Sequence, residues 1–200
     1  MLLVEDPHVD LATPTGPMRT YLYRPVPAQG TAGPDRYPGV VLYSEIFQRT
    51  APIHRTANML AGLGFLVAVP EIFHEYEAAG SVLAYDKAGT DRGNGREVPK
   101  RVAAHDSDAR AVLDLLKASP HCNGALGAMG ICIGGHLAFR AAMQPDVLAF
   151  ACSAATEIHK RDAHVFLGRR QHGLAGGQRL HYQRVNPDAD LLDAARQIVN

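Results

Sequence analysis

The chain has 200 residues, of which 46% are hydrophobic and 20% are charged, and its formal net charge at pH 7 is zero. Such a length and composition are typical of one globular domain that buries a substantial core. Acidic and basic residues are interspersed, so the chain lacks the basic surface that holds nucleic acids or anionic membranes, and we expect a small-molecule partner.

Two further features concern location and redox state. No apolar run approaches the roughly 18 residues that span a membrane, and Glu5 and Asp6 stand where a signal peptide carries a basic flank. We therefore expect a cytoplasmic protein. Cys122, Cys132 and Cys152 show neither CxxC nor metal-finger spacing, so the sequence predicts no disulfide framework and no metal site.

The first half of the chain predicts a strand, a loop and then a strand–helix–strand unit. Residues 18–23 alternate as a strand does, and prolines end the segment. Residues 39–43 and 65–70 are continuous apolar runs of strand length, which is typical of strands covered on both faces. Between them, residues 52–63 carry apolar side chains at helical spacing. This order predicts two parallel strands joined by a helix.

The next stretch predicts a cleft segment and a long helix. Residues 71–97 show no sustained periodicity and contain four glycines, so we expect an irregular excursion over the carboxyl edge of the sheet, where loops commonly line ligand clefts. Residues 98–118 have the apolar spacing of an amphipathic helix. Its charged residues, Lys100 and Asp108 among them, are expected mostly to face solvent.

A turn that contains a cysteine between glycines joins a predicted strand over 125–130 to a helix over 136–143. The pattern Gly130-x-Cys132-x-Gly134 in this context is typical of a nucleophile elbow, whose central residue adopts a strained backbone conformation and projects from the sheet. Glycines flank it because side chains there would collide where strand and helix meet. The positive end of the helix dipole favours thiolate over thiol at Cys132.

Two backbone amides are candidates for stabilising an oxyanion at Cys132. The amide of Ile133 follows the cysteine directly, and a second donor is expected from Ile46, in the loop after the 39–43 strand. Glu45 ends that buried strand, where a carboxylate is costly unless it is paired or solvated, so it is a candidate site residue.

The chain resembles the dienelactone hydrolase (carboxymethylenebutenolidase) family of the α/β-hydrolase superfamily. The resemblance is carried by residues 38–47, 64–73 and 126–136. It is specific in combining Glu-Ile-Phe at 45–47 with Gly-x-Cys-x-Gly-Gly at 130–135. It implies a Cys-His-Asp triad in which Cys132 attacks a lactone or ester carbonyl, and it implies no metal or organic cofactor. By the same likeness, Glu45 contacts the nucleophile and helps to control its ionisation.

Two arginines in the predicted cleft segment are candidates for substrate binding. Arg92 and Arg96 could hold a substrate carboxylate, because guanidinium groups bind carboxylates in a bidentate manner. A surface arginine in a loop is the ordinary alternative.

The tail after Lys160 changes character and becomes rich in arginine, histidine and glutamine. A last strand is predicted over 147–152, and only 48 residues follow Cys152, whereas the family fold requires two more strands with helices and a strand–helix–strand unit takes about 30 residues. Residues 161–200 are therefore expected to form an atypical tail. An exposed basic surface, a disordered end and sequence read in a shifted frame are the alternatives.

Two placements of the remaining triad residues are open. Asp162 resembles the acid of the family's Asp-x-His-Val segment, and His172 then stands in place of the base. Alternatively, residues 163–166 resemble the base segment, with His164 as the base and no acid candidate upstream. We favour Asp162 and His172, since the triad acid precedes the histidine in this fold.

Together these patterns predict a single α/β-hydrolase-type domain over residues 1–200, with a mostly parallel sheet, helices on both faces and an incomplete C-terminus. The predicted function is cysteine-dependent hydrolysis of small lactones or esters through a thioester acyl-enzyme. The alternative is a catalytically impaired member of the family that acts as a scaffold or a small-molecule binding module. The sequence does not indicate an oligomeric state.

Overall fold

The computed structural model describes residues 2–26, 36–97, 100–153, 165–172 and 178–185. These residues form one eight-stranded sheet and four helices. The strands are β1 Leu2–Thr13, β2 Gly16–Val26, β3 Tyr37–Tyr43, β4 Leu66–Pro70, β5 Cys122–Ile131, β6 Val147–Ser153, β7 Val165–His172 and β8 Gln178–Val185. The helices are α1 Ala51–Gly62, α2 Lys87–Glu97, α3 Val102–Ala118 and α4 Ile133–Ala141. Within the described residues, no helix is both long enough and apolar enough to cross a membrane.

The sheet has a parallel centre with antiparallel strands on both sides. Its strand order is β1-β2-β4-β3-β5-β6-β7-β8. The four central strands, β4, β3, β5 and β6, are parallel to one another. The pairs β1/β2, β2/β4, β6/β7 and β7/β8 are antiparallel. The predicted fold class is confirmed, and β1 is a strand that the sequence analysis did not identify.

Helices cover both faces of the parallel centre. Along β3, Val40 and Leu42 point to the face where α1 packs, and Val41 points to the face where α3 and α4 pack. All three side chains are at most 2% exposed. A strand covered on both faces has no polar side, which explains the continuous apolar run over this segment.

Helix α2 is the main departure from the predicted elements, because residues 71–97 were expected to be irregular throughout. Asp86 caps the helix: its Oδ1 accepts from the amide of Gly89 over 2.7 Å. Gly93 packs on the loop after β3, and a Cβ added there would lie 2.8 Å from Cβ of Ile46. This glycine therefore permits a close helix–loop contact, whereas in the sequence it reads as a helix breaker.

The prediction that Lys100 and Asp108 face solvent is wrong. They are 5% and 6% exposed, and Nζ of Lys100 donates to Oδ2 of Asp108 over 2.6 Å and to the carbonyl of Ile72 over 2.9 Å. Oδ2 of Asp108 also lies 3.2 Å from Nε2 of His74. Lys100 thus ties the segment after β4 to α3, which begins at Val102 rather than at residue 98. Opposite charges and hydrogen bonds make this burial tolerable.

The described part of the tail is a β-hairpin. Strand β7 pairs antiparallel with β6, and β8 pairs antiparallel with β7. Neither strand is preceded by a crossover helix of the kind that parallel strands need. The hairpin therefore extends the sheet with few residues. The assignment of residues 1–200 to one domain stays a prediction.

Candidate active site

Cys132 occupies a strained turn between β5 and α4. Its backbone angles are φ 59° and ψ −125°, and it is one of two non-glycine residues at positive φ among those described, with Gln48. The amide of Cys132 donates to the carbonyl of Ser153 over 3.0 Å, and its carbonyl accepts from the amide of Gly135 over 2.9 Å. These bonds hold the turn to β6 and to the first turn of α4. The geometry is that of a nucleophile elbow.

The two glycines that flank Cys132 are required by sterics. A Cβ at Gly130 would lie 1.9 Å from the carbonyl oxygen of Gly134. A Cβ at Gly134 would lie 2.4 Å from the carbonyl oxygen of Tyr43 and 2.6 Å from that of Ser44. Every one of these obstacles is backbone, which cannot move aside as a side chain can. The same close approach brings the start of α4 against the end of β3.

Cys132 differs from the other two cysteines in its exposure. None of the three forms a disulfide. Cys122 and Cys152 are fully buried, whereas Cys132 is partly exposed. Burial raises the pKa of the Cys152 thiol to about 12, so that residue is a poor nucleophile at neutral pH. Of the three, only Cys132 combines access with a position at a helix N-terminus.

The two amides predicted for the oxyanion lie at this corner. Ile133 is the first residue of α4, and Ile46 lies two residues beyond Ser44, whose carbonyl contacts Gly134. Within the described residues, neither amide donates to a protein acceptor. Both side chains are buried, at 3% and 7% exposure, so the backbone of each residue is fixed by packing. Such amides are available to an incoming acceptor.

The loop that carries Ile46 is braced by Gln48. Gln48 is fully buried and has φ 65°, and its amide donates to the carbonyl of Glu45 over 3.1 Å. Its side-chain oxygen accepts from the amide of Phe73, and its side-chain nitrogen donates to the carbonyl of Ser81, each over 3.4 Å. One side chain thus joins the loop after β3 to two points of the segment after β4.

Glu45 is hydrogen-bonded to a residue that the sequence analysis did not single out. Its Oε2 accepts from the hydroxyl of Tyr85 over 2.6 Å. The hydroxyl of Tyr85 also lies 3.1 Å from Oγ1 of Thr50. Burial, followed by the hydrogen bond to Glu45, raises the pKa of Tyr85, so this phenol remains a donor at neutral pH. The contact between Glu45 and Cys132 stays a prediction.

Arg92 and Arg96 both bind Glu77. Nε of Arg92 donates to Oε1 of Glu77 over 2.9 Å, and Nε of Arg96 donates to the same oxygen over 3.0 Å. Burial alone would raise the pKa of Glu77, but the bonds and charges of the two arginines outweigh it and lower that pKa. The Glu77 side chain has no exposed surface, whereas those of Arg92 and Arg96 are 55% and 35% exposed. Glu77 therefore anchors two guanidinium groups that still face solvent.

The strand register separates His172 from Cys132. Phe166 of β7 lies opposite Cys152, beside the elbow, and β7 runs antiparallel to β6. His172 is the last residue of β7. Six residues of strand at about 3.3 Å each place it roughly 20 Å from the carboxyl edge of the sheet. The structure therefore does not bring His172 to Cys132, and Asp162 and His164 lie outside the described residues.

A buried polar group near this corner was missed by the sequence analysis. His74, Glu75 and Asp108 offer ligand atoms that lie within 4.8 Å of one another. Nζ of Lys100 lies 2.6 Å from Asp108 and 3.6 Å from Glu75, so an ammonium supplies the positive charge that these carboxylates require. We call these four residues the Lys100 cluster. No local pattern marks them, because they come from two distant segments.

Comparison with known proteins gives a consistent assignment. The family model for the dienelactone hydrolase family matches residues 18–163. A Saccharomyces cerevisiae protein named "Putative carboxymethylenebutenolidase" is 39% identical over 163 residues, which are 80% of this chain and 58% of that protein. The chain thus spans less than two thirds of the length of this relative.

Two solved structures share the fold. A "Putative Dienelactone Hydrolase" from Klebsiella pneumoniae has a TM-score of 0.63 at 21% identity and covers 81% of this chain and 64% of that one. A dienelactone hydrolase-like promiscuous phosphotriesterase from metagenomic libraries has a TM-score of 0.58 at 23% identity and covers 76% of this chain and 59% of that one. Together with the elbow at Cys132, the extent of the family match leads to one conclusion: the chain belongs to the dienelactone hydrolase family.

Proposed function

We propose that this chain is a cysteine-dependent hydrolase of small esters or lactones, and that Cys132 forms a thioester acyl-enzyme. The observation that carries the proposal is the backbone of Cys132, a partly exposed residue at φ 59° where α4 begins. A non-glycine residue in such a conformation costs about 1–3 kcal/mol, and this kind of strain clusters at functional sites. Membership of the dienelactone hydrolase family supports the reaction class.

Acylation begins when the Cys132 thiolate attacks the carbonyl carbon of the substrate. A C–S bond forms, and the carbonyl π electrons move to the oxygen, which becomes an oxyanion. The amides of Ile133 and Ile46 donate to that oxygen, since neither donates to another described residue. The intermediate then collapses: the C–O bond to the leaving alkoxide breaks, the alkoxide takes a proton, and the thioester remains.

Deacylation needs a base that activates water against the thioester. Water attacks the thioester carbon, the carboxylic acid leaves, and the Cys132 thiolate is restored. The sequence offers His172 with Asp162, or His164 in their place. The antiparallel register of β7 argues against His172 as the base. A chain that lacks the base would stop at the acyl-enzyme.

Arg92 and Arg96 support an anionic substrate. Gly93, between them in α2, packs directly on Ile46, so this helix lies beside a proposed oxyanion donor. Glu77 holds one edge of each guanidinium group, and the remaining donors can bind a substrate carboxylate. We expect Arg92→Gln to raise KM for a lactone that carries a carboxylate, and to leave KM unchanged for a neutral ester.

The proposal is tested with p-nitrophenyl acetate and with a dienelactone. We expect turnover by the wild-type chain, loss of turnover in Cys132→Ala, and an acetyl adduct on the peptide that contains Cys132. Cys122→Ala is the matched control and should retain turnover, because Cys122 is fully buried. Turnover that survives Cys132→Ala would rule out the cysteine mechanism.

The base is tested by comparing His164→Ala with His172→Ala. The variant that lacks the base should give a burst of p-nitrophenol and then accumulate the acyl-enzyme, since acylation by a thiolate does not require it. The other variant should turn over like the wild type. Equal steady-state rates in both variants would exclude both histidines as the base.

A further inference from the structure

Glu45 is held by a side chain for which the proposed reaction has no other use. The hydroxyl of Tyr85, in the segment between β4 and α2, donates to Oε2 of Glu45 over 2.6 Å. Hydrogen bonds from a hydroxyl to a carboxylate at this distance are about twice as strong as neutral ones. The two residues are 40 positions apart, so the bond is a tertiary contact that local chain geometry does not impose.

The direction of the neighbouring bond follows from proton counting. A tyrosine hydroxyl has one proton, and an ionised carboxylate only accepts. Because the Tyr85 proton goes to Glu45, the contact between Tyr85 and Oγ1 of Thr50, at 3.1 Å, must have Thr50 as donor. Thr50 is 3% exposed, so its hydroxyl is fixed by packing. The chain of donors from Thr50 through Tyr85 therefore ends on the Glu45 carboxylate.

The ring of Tyr85 is held separately from its hydroxyl. It packs on the ring of Phe47, with centroids 4.4 Å apart, although Tyr85 is 56% exposed. Aromatic pairs at this distance are stabilised by contact between the rings alone. Removal of the hydroxyl in Tyr85→Phe therefore keeps the ring in place and isolates the hydrogen bond.

The bond also selects which oxygen of Glu45 remains available. Tyr85 occupies Oε2, and Oε1 accepts no hydrogen bond from another described residue. Glu45 directly precedes Ile46, and its own carbonyl accepts from Gln48. Its backbone is thus fixed by the loop and its side chain by Tyr85, which leaves one carboxylate oxygen at the corner where β3 meets α4.

We propose that Tyr85 is a positioning residue: its hydroxyl keeps Glu45 ionised and presents Oε1 to the thiol of Cys132, and so sets the lowest pH at which Cys132 reacts. The inference rests on the proposed role of Cys132 as the nucleophile. The step it controls is a proton transfer, in which the S–H bond of Cys132 breaks and an O–H bond forms at Oε1, giving a thiolate and a neutral carboxyl group.

The test is the pH profile of Cys132 alkylation by iodoacetamide, followed by mass spectrometry of the peptide that contains it. Loss of a hydrogen bond to the charged form raises the pKa of a carboxyl group. In Tyr85→Phe we therefore expect the acid limb of the profile to move up by about one pH unit, since one such bond changes an equilibrium roughly tenfold. Glu45→Gln should remove this limb, and adding Tyr85→Phe to Glu45→Gln should change nothing further.

Tyr76→Phe is the matched control, because Tyr76 lies in the same segment and hydrogen-bonds a different carboxylate, Glu75. It should leave the profile unchanged. An unshifted profile in Tyr85→Phe, or a shift that persists in the Glu45→Gln background, would overturn the proposal. Ester turnover is measured alongside: a chain that shows the Tyr85 shift without turnover contradicts the proposed hydrolase and supports the role of Tyr85.

Discussion

The elbow at Cys132 and the Lys100 cluster are built in opposite ways. The elbow is specified by five consecutive residues, 130–134, whose backbone atoms approach one another too closely to admit a Cβ. The Lys100 cluster joins side chains from the segment after β4 to the start of α3 through hydrogen bonds and charge. The comparison shows that steric constraints can be local in sequence, whereas buried ion pairs depend on the completed fold.

The strongest way to break the elbow is to add one methyl group. Gly134→Ala would place a Cβ within 2.4 Å of the Tyr43 carbonyl oxygen, and we expect a loss of about 3 kcal/mol or more in the free energy of unfolding, because only backbone could move. Urea denaturation measures it. Gly95→Ala is the control: no atom lies within 4 Å of its added Cβ, so it should stabilise α2 by up to about 1 kcal/mol. Equal effects would refute the steric account.

The corresponding change in the Lys100 cluster is Lys100→Met. It leaves Asp108 buried without its main counter-ion, and removal of one partner of a buried pair costs about 3–5 kcal/mol. A combined Lys100→Met and Asp108→Leu variant should recover part of that loss, since neither charge is then buried. The control is Lys87→Met, whose pair with Asp91 is exposed and whose loss should not measurably change urea denaturation. A double variant no more stable than Lys100→Met would contradict this reading.

The pH dependence of stability should separate the two regions further. Burial, and next the charge of Lys100, lower the pKa of His105 to about 4, although Asp108 and Glu75 act in the opposite direction and His136 reinforces the shift. The folded chain thus binds this proton less readily than the unfolded chain, whose histidines titrate near pH 6.5. Stability is therefore lost as pH falls from about 6.5 to about 4, by up to about 1.4 kcal/mol per pH unit for this one group.

His105→Asn should flatten that slope. Urea unfolding at several pH values measures it, and His121→Asn is the control, since His121 lies at the far end of α3, just before β5. A slope that is unchanged in His105→Asn would show that other groups carry the pH dependence.

The smallest effect is expected at the elbow residue itself. Cys132→Gly relieves a positive φ at a non-glycine residue, which is worth about 1–3 kcal/mol, but glycine adds about 0.5–1 kcal/mol of chain entropy. We expect a net gain of about 1 kcal/mol in stability, by thermal or urea denaturation, together with loss of alkylation at this position. A destabilised Cys132→Gly variant would show that the conformation is not strained.

Local periodicity and turn chemistry were sufficient to predict much of the fold. The apolar runs that became β3 and β4 lie on parallel strands covered on both faces, and the glycines around Cys132 marked the elbow. Helix α2 was missed because Gly93 is needed for a contact with Ile46, which a single sequence does not reveal. Strand β1 was missed as well.

The polar contacts of the candidate site could not be predicted for a different reason. Tyr85 lies 40 residues from Glu45, and Lys100 lies 28 residues from the Ile72 carbonyl that it binds. Such pairs have no spacing rule, because the loops that bring them together have no fixed length. The position of His172 was likewise beyond the sequence, since an antiparallel strand reverses which end of the segment lies at the carboxyl edge.

The bracing of the loop by Gln48 has a consequence for the timing of the proposed reaction. Gln48 links the residues next to Ile46 to Phe73 and Ser81, so the Ile46 amide already has its orientation before any substrate enters. A dipole aligned in advance needs no rearrangement as charge develops, and this lowers the activation barrier. Selectivity in this corner would then depend on which molecules fit a rigid acceptor site, and a poorly shaped ester could not reshape the loop to suit itself.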